Sequence, residues 1–117
     1  VFFECTAEWP LYWMHRMDDD HKFTDRPIFR DHGMGQIEHL PSYYMKKNCW
    51  YSCESDEGPM TQTIEEIGAD RILFASDYPH FDSEYPNTVP DIMANTGISD
   101  KHKEMIFGKN AEVLLNL

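Results

Sequence analysis

A chain of 117 residues with a formal net charge of −11, set by 21 acidic and 10 basic residues, suits one small domain or part of a larger one. Its acidity disfavours phosphate backbones and anionic lipid headgroups as partners. Hydrophobic residues make up 41% and aromatics 14%, which excludes a disordered tail, and no apolar run approaches the roughly 20 residues that cross a bilayer. The expected partner is a small molecule, with no nucleic acid and no membrane; a homo-oligomer is compatible with the composition.

The three cysteines are Cys5, Cys49 and Cys53. If Cys49 and Cys53 share a strand they stand roughly 13 Å apart. A disulfide needs Cα atoms within about 7 Å. Reduced thiols and a cytoplasmic location are therefore expected. The C-x₃-C spacing lacks a second Cys/His pair that would make a zinc finger.

Val1 to Glu4 reads as a short buried strand, and no signal-peptide pattern precedes it. A chain that opens inside a strand is expected to be a piece of a longer one. Trp9-Pro10 opens a helix, because proline is tolerated in a first turn. Trp9, Trp13 and Met17 recur at i, i+4, i+8 as one apolar face, and Asp18 to Asp20 form a solvated run where that helix frays. Lys22 to His39, with Pro27, Gly33 and Gly35, reads as a long surface loop. Pro41-Ser42 starts a short helical turn with Ser42 as the N-cap.

Asn48 to Cys53 reads as a second strand. Gly58-Pro59 breaks the chain, and Met60, Ile64 and Ile67 share one helical face that Gly68 terminates. Arg71 to Ser76 is a third strand. Its unbroken apolar run suits a strand covered on both faces. Helices follow near Val89 to Asn95, over about Asp100 to Phe107 with Ser99 as cap, and in a last turn from Asn110. Alternating strands and helices imply parallel strands. Three such strands alone leave open edges, and a full (β/α)₈ barrel takes about 250 residues.

In parallel α/β folds the chemistry gathers at the carboxyl ends of strands. That rule selects Glu4, Glu54 and Asp77. Asp77 precedes the stiff Tyr78-Pro79-His80 turn, where a carboxylate can bind a metal or move a proton; the alternative is a simple turn cap. His80 either orients Asp77 or bonds to backbone. Glu54 belongs to the pocket or, with Asp56 and Glu57, to an ordinary acidic loop. His15, His21, His32, His39 and His102 show no metal-binding spacing and read as surface or helix residues.

The stretch ADRILFASDYPHFDSEYP and the ending GKNAEVLLNL resemble the C-terminus of the amidohydrolase-related family, which includes aminocarboxymuconate-semialdehyde decarboxylase, other nonoxidative aromatic decarboxylases, and hydrolases. FFECTAEWPLYWMHRMD and LPSYYMKKNCWYSCESDE look like that family's preceding segments. The resemblance implies an α/β fold: the C-terminal part, about the last three β/α units, of a (β/α)₈ TIM barrel. Residues 1–117 would then form a single partial domain whose N-terminal strands are missing. Asp77 would be the last-strand metal ligand and proton-transfer residue, with His80 beside it. A divalent metal is implied, zinc first and manganese second.

One position departs from the family. Where the decarboxylases end a strand in a histidine ligand, this chain carries Glu4, ahead of a matching Trp9-Pro10 pair. A carboxylate is a harder, more anionic ligand than imidazole. The leading expectation is a metal-dependent hydrolase or decarboxylase acting on a small carboxylated or cyclic substrate, with the 117 residues alone inactive. The alternatives are a barrel that has lost its metal and a binding domain that folds by itself.

Overall fold

The computed structural model describes residues 1–24, 26–33 and 37–117; Gly35, one of the expected loop breakers, lies outside the described residues. Helix α1 spans Trp9–His21, α2 Pro27–Arg30 and α3 Pro41–Asn48. Strand β1 (Tyr51–Cys53) leads into α4 (Met60–Ile67) and a 3₁₀ turn at Ala69–Arg71 that feeds β2 (Ile72–Phe74). Helices α5 (Thr88–Ala94), α6 (Asp100–Glu104) and α7 (Asn110–Leu115) complete the chain. Among the described residues, no helix is long and apolar enough to cross a membrane.

The two strands are parallel neighbours, with Tyr51, Ser52 and Cys53 in register with Ile72, Leu73 and Phe74. The ladder runs one residue further, where the Ala75 amide donates to the Cys53 carbonyl at 3.1 Å. On the other side of β1 the expected first strand is reduced to one parallel bridge, Phe2 to Tyr51. Its bonds are the Phe2 amide to Trp50 O at 2.8 Å and the Ser52 amide to Phe2 O at 2.9 Å. Val1, Phe2 and Phe3 are exposed rather than buried, since only β1 flanks them.

Helix α4 follows its pattern. Met60, Thr63, Ile64 and Ile67 recur every three or four residues and all are buried. Gly68 ends the helix at φ 105°, where a side chain would be strained. Buried Ile72, Ile92 and Ile106 anchor the core between the strands and the C-terminal helices, each contributing about 1.5–3 kcal/mol. Asn110 is also buried, and its Nδ2 donates to the carbonyls of Ala69 and Ile72, each at 2.7 Å. One amide thus ties the last helix to the entry of β2.

Several expectations need correction. Helix α1 buries Pro10 and Met14; of the expected stripe, Trp9 and Met17 pack half-buried against the core and Trp13 is exposed. The acidic run does not fray the helix. Arg16 pairs with Asp20 at 3.1 Å, and Lys22 with Asp19 at 2.6 Å, so local cations compensate the helix end. Asp18 accepts the Ser42 amide at 2.9 Å across to α3, doing the work expected of a Ser42 cap; Leu40 is the N-cap. The expected loop from Lys22 contains the single turn α2, started by Pro27. The strands are shorter than read, because Asn48 closes α3 and Arg71 belongs to the 3₁₀ turn. Helices α6 and α7 run into one another through a π turn at Met105–Lys109, with Ser99 Oγ accepting the His102 amide at 3.2 Å at their start.

Candidate active site

The carboxyl ends of the bridge, β1 and β2 open onto one cleft of about 330 Å³, lined by Glu4, Thr6, Glu54, Asp56, Glu57, Asp77, His80 and Asp82. Glu4 lies two residues past the Phe2 bridge, Glu54 directly follows β1, and Asp77 lies three residues past β2. The parallel register is what brings these strand ends, far apart in sequence, to one edge.

Asp77 has the left-handed φ of 53°, an uncommon conformation for a residue other than glycine. Its side chain is only 16% exposed. His80 Nδ1 lies 3.0 Å from Asp77 Oδ2, and the His80 amide donates to the Asp77 carbonyl at 2.8 Å, which closes a tight turn. Ser83 pins the far side of that loop, its hydroxyl donating to Ser76 O at 2.6 Å. The loop also carries Asp82, and ligand atoms of Asp77, His80 and Asp82 all fall within 4.8 Å of one another.

Six carboxylates face the cleft, and no Lys or Arg lines it among the described residues. Burial, reinforced by the charges of Asp77, Asp56, Asp82 and Glu4, pushes the Glu54 carboxyl above its ordinary range. Burial raises Glu57 as well, against the pull of the Ala7 and Glu54 amides. Burial also pushes the Cys53 thiol up, and Cys53 does not line the cleft. The donors that remain are carboxylate oxygens and one imidazole, a set that fits a hard or borderline divalent cation such as manganese. A larger groove, of about 400 Å³, is lined by Asp20, Phe23, Thr24, Arg26 and Phe29; its surface is mostly apolar, and it gathers no cluster of carboxylates and imidazole.

Glu4, Glu54, Asp77 and His80 are thus brought together. His32 and His39 are exposed and stand outside the cleft lining, as do His15, His21 and His102. Sequence reading missed Thr6 and Asp82, and read Asp56 and Glu57 as part of an ordinary acidic loop with Glu54; both line the cleft. For Asp82 there was a signal, its place two residues after His80 in the same loop; for Thr6 there was none.

The amidohydrolase family profile matches residues 22–117. The chain belongs to the amidohydrolase family. Its fold matches two solved decarboxylases over 94% of this chain. One is 5-carboxyvanillate decarboxylase from Sphingomonas paucimobilis, at 23% identity and a TM-score of 0.75. The other is a dihydroxybenzoic acid decarboxylase from a Polaromonas species, at 28% identity and a TM-score of 0.59, which was solved with bound manganese and the inhibitor 2-nitroresorcinol. The amidohydrolase chain spans 31% of the length of each. No curated protein sequence matches it.

Proposed function

We propose that this chain forms the last three β/α units of a (β/α)₈ barrel and supplies the acidic wall of a metal-dependent decarboxylase site. The other strands would come from polypeptide beyond residues 1–117, and the chain alone would be inactive. The observation that carries this reading is the largely buried Asp77 carboxylate, held by His80 in a cleft at the carboxyl ends of parallel strands. The Polaromonas relative makes decarboxylation of a hydroxylated aromatic carboxylate the favoured reaction over hydrolysis, and manganese at least as good an ion as zinc.

Asp77 would hold the ion, with His80, Asp82 and Glu4 as the other donors this chain offers. Bound there, a divalent cation supplies Lewis-acid polarisation and offsets the cleft's negative charge. Asp77 would relay a proton to the ring carbon that bears the carboxyl group. The carbon–carbon bond then breaks, its electron pair returns to the ring, and carbon dioxide leaves. His80, at 3.0 Å and with its ring open to solvent, is placed to return a proton to the Asp77 carboxylate.

In the barrel containing this segment, D77N is expected to slow carbon dioxide release from a hydroxylated benzoate by about 10²–10⁴-fold without changing the melting temperature greatly. Unchanged turnover would remove the role. One observation favours a second reading, a barrel that has lost its metal: Glu4 stands where the resembling enzymes carry a histidine, and it is exposed. Elemental analysis of protein purified without chelator separates the two. About one divalent ion per chain supports the first, and none supports the second.

A further inference from the structure

Glu57 lines the acidic cleft, yet its carboxylate is engaged elsewhere. Its Oε2 accepts the amide of Ala7 at 2.7 Å, across a separation of 50 residues. The carbonyl of the same residue accepts the Thr63 hydroxyl at 2.6 Å. Ala7 is 1% exposed and Thr63 is fully buried, so both faces of this residue's backbone are bonded inside the protein. The segment so held is the turn from Glu4, in which Glu4 and Thr6 both adopt left-handed φ angles of 54° and 56°. Two non-glycine residues in that conformation persist only where surrounding contacts determine them. Besides Glu57, the turn is held by the Thr63 hydroxyl of α4 and by the first residue of α1, Trp9, whose amide donates to Thr6 O at 3.3 Å.

We propose that Glu57 is a positioning residue: it clamps the Glu4–Ala7 turn onto the loop after β1 and thereby sets the Glu4 carboxylate into the cleft that Asp77 faces. This deepens the proposed reading of the same site and divides its carboxylates by task. Glu57 is taken up by backbone donors, while Glu4, Asp77 and Asp82 stay available to a cation.

The test is nuclear magnetic resonance on the metal-free barrel containing this segment, reading hydrogen exchange at the Ala7 amide and the side-chain carboxyl resonance of Glu4. In E57A the Ala7 amide is expected to exchange faster by about tenfold or more, and the Glu4 resonance to move. The amides of Ile64 and Ile67 in α4 should keep their protection. E57Q retains an acceptor oxygen and should hold Ala7 exchange within about threefold of wild type. Should E57A fail to fold, E57D, shorter by one methylene, is expected to shift both signals in the same direction by less.

Unchanged Ala7 exchange in E57A, or a Glu4 resonance that stays put, would overturn the proposal. So would uniform loss of protection throughout the E57D chain, which would mark Glu57 as a general stability residue. Because the readout needs no metal, it stands apart from the metal reading. A chain that binds no manganese but shows these shifts refutes the latter alone.

Discussion

His80 and Asp77 make two contacts through one turn: imidazole Nδ1 to carboxylate Oδ2 at 3.0 Å, and backbone amide to backbone carbonyl at 2.8 Å. The second contact fixes the turn and the first fixes the carboxylate's direction. The histidine is 59% exposed whereas the aspartate is 16% exposed, so the pair links the cleft interior to water.

That link predicts an ordering of kinetic effects. In the complete barrel, D77N should lower kcat by about 10²–10⁴-fold, the usual contribution of a proton-transfer group. H80Q should lower it by roughly 10–100-fold, as for a residue acting through a ligand or base. Steady-state kinetics of both variants checks this, and an H80Q loss larger than that of D77N would reverse the assigned roles.

Glu54 predicts a pH dependence. Burial and the charges of Asp77, Asp56, Asp82 and Glu4 raise its pKa in the folded chain above the ordinary 4.5. The folded state then holds the proton more tightly than the unfolded state. Its stabilising contribution is full below the ordinary value and is lost as pH rises through the raised one. Without metal, the melting temperature should fall across that window, and E54Q should flatten the fall and raise the neutral-pH value by on the order of a few degrees. Thermal melts of both proteins between about pH 4 and pH 7 read the difference. Identical slopes would contradict it.

Asn110 predicts a large stability loss. N110A removes both donors and leaves the buried carbonyls of Ala69 and Ile72 unpaired, at a cost of roughly 2–4 kcal/mol. Urea unfolding should show it, and a loss below about 1 kcal/mol would mean that water replaces the amide.

Ser99 predicts a smaller one. Its hydroxyl accepts the His102 amide at the start of α6, so S99A should cost about 1 kcal/mol, and S99D should restore most of it. Equal stability of all three proteins in urea would show that the cap contributes nothing.

The sequence reads well where a local rule decides. The α4 face, its Gly68 stop, the Ser99 cap and the positions of Glu54 and Asp77 after parallel strands follow from periodicity, capping and the strand-end rule. It reads poorly where a distant partner decides. Asp18 caps α3 from 24 residues away, and Glu57 reaches Ala7 from 50, so neither carries a local signature. The first strand reads as buried because Val1-Phe2-Phe3 is apolar, but burial needs a neighbour on both sides, and Phe2 has one. Asp82 lay open to view in the Asp77 loop; only the fold of that loop, closed by Ser83 on Ser76, turns it back toward His80.

The claim at the centre is that the Asp77 cleft holds a divalent cation. Manganese titrated into the metal-free barrel containing this segment and into its D77N variant, with free ion followed by its electron spin resonance signal, tests it most directly. The account predicts about one ion taken up per wild-type chain and an affinity at least about tenfold weaker in D77N. No uptake by the wild type, or equal uptake by D77N, would contradict it.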